Sequence, residues 1–90
     1  MKLLSPETGS VLALVAECPA VFFETSDGGR KLKNLVFGLK SKDRKEARSI
    51  IAAMKRVYAC KAIPSSWRPE HTEIARALFR WAKANRTTNT

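Results

Sequence analysis

Residues 43–60 carry two opposed faces, and no other feature constrains the fold as much. Ala47, Ile50, Ile51, Met54, Val57, Tyr58 and Lys61 recur at the 3.6-residue period of an α-helix. The apolar side chains cover about a third of the circumference, so one side of this helix must be buried. Arg44, Arg48 and Lys55 fall within about 40° of one another on the other side, flanked by Lys45 and Arg56. Ala52 and Ala59 share that basic side. Ser41 or Asp43 can cap the start, with Glu46 in the first turn.

The same helix anchors the charge. Residues 30–61 hold eleven bases (Arg30, Lys31, Lys33, Lys40, Lys42, Arg44, Lys45, Arg48, Lys55, Arg56 and Lys61) against two acids, Asp43 and Glu46, which equals the +9 of the whole chain. Residues 1–29 are net acidic and 62–90 mildly basic, and the two cancel. A field confined to one block is directed, and nucleic acid phosphate is its commonest partner.

The flanking elements complete a small domain. Ser5 caps a helix with Pro6 at its first position and Glu7 at its positive end; Pro19 stops it near Glu17 or Cys18. Ala20–Thr25 is short, aromatic and β-branched, and reads as a buried strand, with Ser26-Asp27-Gly28-Gly29 as a turn. Arg30–Phe37 can complete a hairpin across that turn. The helix is the favoured reading, because Leu32, Leu35, Val36 and Leu39 match one helical face more fully than they match alternation. That helix would end near Gly38 in the αL conformation. Ile63–Arg68 is a loop. A last helix starts at Pro69 and ends near Asn85, with Ile74, Ala75, Leu78, Trp81 and Ala82 on its apolar face and Arg76, Arg80 and Lys83 on a second basic stripe. The fold expected is mainly α: three or four helices, with one short extended segment or hairpin near 20–37. It forms one domain over 1–86, with a frayed tail over 87–90.

Several function classes are disfavoured. The longest apolar run in the N-terminal third, Val11–Ala16, is far short of a membrane span, and Pro6, Glu7 and Glu17 interrupt any signal peptide, so a cytoplasmic protein is expected. Cys18 and Cys60 then read as reduced, buried thiols. One histidine and two distant cysteines make a poor zinc set, and no cofactor is expected. His71 reads as a surface or capping residue without a catalytic partner, so no enzyme is expected. Gly28-Gly29 lacks the further glycines and lysine of a phosphate loop.

The segment Leu32-Lys-Asn-Leu-Val-Phe-Gly-Leu-Lys-Ser-Lys-Asp-Arg-Lys-Glu-Ala-Arg-Ser-Ile-Ile resembles helix-turn-helix units of small bacterial and phage regulators. The resemblance makes 32–37 the first helix, Gly38–Ser41 the turn and 43–57 the recognition helix. A helix follows where a β-wing would stand. The resemblance implies a compact regulator that reads duplex DNA, commonly as a homodimer. Arg44, Arg48, Ser49 and Lys55 would face the groove, Lys31, Lys33, Lys40 and Lys42 would clamp phosphates, and Arg30, Lys45 and Arg56 are further nucleic-acid-binding candidates. Trp81 reads as core. Trp67, Arg76, Arg80 and Trp81 together mark a candidate partner surface. Phe22, Phe23 and Phe37 read as buried, which argues against single-strand or RNA binding. The competing function is an inhibitor or adaptor that docks its basic face on an acidic or nucleic-acid-like protein.

Overall fold

The computed structural model describes residues 5–88. It contains five helices among the described residues and no strand: α1 (Pro6–Glu17), α2 (Pro19–Glu24), α3 (Ser26–Phe37), α4 (Ser41–Tyr58) and α5 (Pro69–Thr88). The mainly α expectation is met, with one more helix than expected. The last helix, α5, continues to Thr88, and residues 89–90 of the expected tail lie outside the described residues.

The first helix starts as the sequence dictates. Thr8 N donates to Ser5 Oγ at 3.3 Å and Pro6 occupies the first turn. Ser5 also donates to Asp43 Oδ2 at 3.1 Å, which ties the start of α1 to the first turn of α4. Asp43 is thereby diverted from capping its own helix. Lys40 stands at that cap instead, with no side-chain hydrogen bond, so neither Ser41 nor Asp43 fills the role expected of it.

The segment expected to be extended is helical. Pro19 at the first position of α2 starts a new helix directly after α1 ends. Thr25 then links α2 to α3: its Oγ1 donates to Val21 O at 2.6 Å and accepts from Gly28 N at 2.9 Å. Gly28 and Gly29 therefore belong to the first turn of α3 rather than to a hairpin. Gly38 ends α3 in the right-handed region (φ −73°, ψ −10°) rather than αL. Leu39 N bonds back to Val36 O at 3.0 Å, and Leu39 is buried against Val11 and Ala47.

The main core is built by α1, α4 and α5. Leu12, Val15 and Ala16 meet Ile50, Ala53, Met54, Ala75 and Ala82, and Phe22 is added from α2. Full burial of side chains such as Leu12, Ile50 and Met54 contributes about 1.5–3 kcal/mol each. The third helix lends the half-buried Leu32 and Leu35, so it lies over the core as a cover and keeps its basic side in water. Trp81 is 43% exposed, contrary to its expected place in the core. The inward side of α5 is centred on Ala75 and Ala82, which are fully buried. At about 100° per residue Trp81 lies roughly a quarter-turn or more from them, on the flank.

Both cysteines are free, as expected, but exposed rather than buried. Each sits at a helix end, where the chain turns at the surface. Cys18 joins α1 to α2, and Cys60 follows α4 with φ 56°.

Candidate nucleic-acid interface

The basic block is divided between α3, the three-residue turn 38–40 and α4, with Lys61 just after α4. Four residues on α3 (Gly29, Leu32, Lys33, Val36) and four on α4 (Arg48, Ile51, Ala52, Lys55) line one groove of about 240 Å³. Its floor is apolar and its charged lining is Lys33, Arg48 and Lys55, with no acid. The groove thus runs from Gly29 to Val36 along α3 and from Arg48 to Lys55 along α4. Next to the turn, just beyond Val36, Arg44 lies over the Phe37 ring, 5.0 Å from its centroid. Along α3, Lys33 and Phe37 are one turn apart on the same side.

Two of the arginines serve the fold. Arg44 is half-buried and donates from Nη2 to Leu39 O at 3.3 Å, so it braces the α3–α4 turn as well as covering Phe37. Its buried Nε has no hydrogen-bond partner. Arg56 donates from Nη1 to Ala62 O at 2.7 Å and stacks on Trp67 at 5.3 Å, fixing the chain after α4. The other bases of the block (Arg30, Lys31, Lys33, Lys40, Lys42, Lys45, Arg48, Lys55 and Lys61) are all exposed. None of the eleven makes an ion pair among the described residues, where the ion pair Arg76–Glu73 at 3.5 Å lies on α5.

Ser49 is placed otherwise than a base-reading residue needs. Its Oγ lies 2.7 Å from His71 Nδ1, which commits its hydroxyl to the seam between α4 and α5. His71 is 7% exposed, so it is an interior residue and not the surface or capping residue that its sequence position implies. The first turn of α5 packs onto α4 and carries His71 inward. A serine and a histidine within bonding distance can form a nucleophile and base, but no carboxylate hydrogen-bonds to His71 among the described residues.

The four residues of the candidate partner surface are only partly gathered. Trp67 and Arg76 share a depression of about 300 Å³ with Ile63, Pro64, Pro69 and Thr72, and Trp67 also packs against the core. Arg80 follows one turn after Arg76 on α5, and Trp81 lies outside that depression. Sequence reasoning missed two features. One is the exposure of Phe37, at 70%, where a buried ring was expected. Phe37 follows Leu35 and Val36 in an apolar triplet, and only two of three consecutive helical residues can face inward. The other is an apolar depression of about 530 Å³ that Leu14, Cys18, Val21 and Leu35 line beside Lys31.

No group of three or more metal-ligating side chains is assembled among the described residues, and no helix among them is long and apolar enough to cross a membrane. No protein-family model, no curated protein and no solved structure matches the chain.

Proposed function

We propose that this chain is a binding protein whose α3–α4 face engages the phosphate backbone of duplex DNA. One observation carries the reading: Lys33, Arg48 and Lys55 converge on a single groove with no acid in its lining, on helices whose apolar sides are packed. Cations without intramolecular partners keep their full field for an outside polyanion. Lys33, Lys40, Lys42, Lys45 and Lys55 are the phosphate contacts in this reading, and Arg48 is the residue that reaches base edges; Lys31 lies around the other side of α3, at the depression lined by Leu14, Cys18 and Val21. Arg44, Arg56 and Ser49 support the interface from behind. A role as a regulator of the helix-turn-helix kind is part of the same proposal.

The test is a titration of labelled random duplex at several salt concentrations. About five phosphate contacts give a log–log slope of about −4 to −5, and each cation removed flattens it by about 0.9. Arg48→Ala should weaken binding to a preferred sequence more than to random duplex, whereas Lys33→Ala weakens both alike. Undetectable binding at low salt would sink the proposal.

The apolar floor of the groove, formed by Leu32, Val36, Ile51 and Ala52, favours one second reading. An acidic amphipathic helix of a protein partner would place its apolar side on that floor and its carboxylates on the rim. A purified acidic partner that binds while duplex does not would select this reading over the first.

A further inference from the structure

We infer that Phe37 is a stacking platform for an unpaired base, so the preferred nucleic acid has a single-stranded segment next to its duplex. The inference rests on the nucleic-acid reading above and adds a substrate class to it. Phe37 is 70% exposed, the most exposed of the large hydrophobic side chains among the described residues. It stands on the last residue of α3, immediately before the turn that carries Lys40, with Lys42 in the first turn of α4. The Arg44 guanidinium lies 5.0 Å from its ring centroid, and that arginine is itself held by Leu39 O. One face of the ring is therefore backed by a fixed cation, and the exposed surface is the other face and the edge.

The Arg44 contact uses one face of the ring, and burial accounts for none of the remainder, which faces solvent. An aromatic face amid lysines is what single-strand binders use: the cations follow the backbone while each base lays its π-face on a ring. The nearest carboxylate in sequence, Asp43, accepts from Ser5, and Lys40, Lys42 and Lys45 around it outnumber its single charge. An intact duplex offers no free base face to a ring at a helix end, whereas the first unpaired base beyond a duplex end does. Duplex on the α3–α4 groove and an unpaired base on Phe37 are compatible, because the ring lies just beyond the groove, next to its lining residue Val36 and on the side of the turn.

The experiment compares a labelled duplex with the same duplex bearing a short unpaired tail, at one salt concentration, using the full chain. A fluorescent adenine analogue quenched by stacking is placed in the tail. The expected result is a tail preference of roughly 5- to 150-fold, the range for one stacked base, together with quenching. Phe37→Ala should abolish preference and quenching while leaving duplex affinity and its salt slope unchanged. Phe37→Trp should keep both, and Phe37→Leu should lose the quenching. Equal affinity of the unaltered protein for the two probes would overturn this inference and leave duplex binding standing. An equal weakening on both probes in Phe37→Ala would overturn it as well, since the ring would then not be reading an unpaired base. Binding to neither probe at low salt would overturn the underlying reading itself.

Discussion

Cys60 shows how a single residue can stand in a conformation its side chain disfavours. Its φ of 56° is left-handed, and it terminates α4: Lys61 N bonds to Arg56 O at 2.9 Å and Cys60 N to Val57 O at 3.1 Å. Glycine is the usual residue there because a Cβ in this region costs about 1–2 kcal/mol. Cys60→Gly should therefore raise the denaturation midpoint by the equivalent of about 1 kcal/mol, read by urea unfolding; no change would mean the strain is relieved elsewhere. A second residue-scale expectation concerns Tyr58, the one tyrosine of the chain. Its hydroxyl donates to Glu24 Oε2. That hydrogen bond, helped by the carboxylate's charge, raises the phenol above its ordinary value of 10.0. The contact favours the neutral phenol, so its contribution is complete below the ordinary phenol range and is lost as pH rises through the elevated folded value. Ultraviolet titration of the phenolate should show a midpoint above 10.0 that returns toward it in Glu24→Ala. An identical midpoint in both proteins would remove the contact. Cap chemistry at Ser5 and Pro6 was legible from the sequence because it is local. The burial of His71 was not, because it depends on Ser49, 22 positions away, on another helix.

At the scale of the element, α3 is the instructive case. Its apolar period over Leu32, Leu35 and Val36 was readable, and so was that of α4, since both reflect one buried side. Its start was misread, because Ser-Asp-Gly-Gly is turn chemistry by local rules. What overrides those rules is the approach of α2. A Cβ on Gly28 would sit 1.6 Å from Val21 O and 2.5 Å from Val21 C, both backbone atoms that cannot step aside. Gly29 is different, with nothing within 4 Å of its would-be Cβ. The two glycines should therefore respond oppositely to alanine. Gly29→Ala removes unfolded-chain freedom inside a helix and should stabilise by about 0.5–1 kcal/mol. Gly28→Ala forces α2 and α3 apart and should destabilise by about 1–3 kcal/mol or more, as overpacking does. Paired thermal melts check this directly: equal shifts of the two variants would show that α2 does not approach α3 as closely as described. The sequence contains both glycines side by side and has no local mark that tells them apart.

For the whole molecule, the unpaired basic block sets how stability responds to salt. The chain measures 37 × 28 × 26 Å and carries +9. The screening length is about 30 Å at 0.01 M salt and about 8 Å at 0.15 M. At the lower concentration nearly every cation repels every other across the molecule; at the higher one only neighbours do. Because none of the block's cations makes an ion pair among the described residues, added salt has self-repulsion to relieve and little attraction there to weaken. The melting temperature should rise from low to moderate sodium chloride, and a relief of about 1 kcal/mol would appear as about 4–8 °C for a domain of this size. Lys42→Gln combined with Lys45→Gln should raise the midpoint at low salt and flatten its salt dependence, since both side chains are exposed on the first turns of α4. A midpoint that is flat or falls with salt would mean the cations are already compensated within the fold, leaving less free field for an outside phosphate. A bound polyanion must then act in the same direction as salt and exceed it at low ionic strength, because it supplies negative charge at the block itself. Duplex added at low salt should lift the midpoint of the unaltered chain further than it lifts that of the double variant, and an equal lift would place the duplex away from α4.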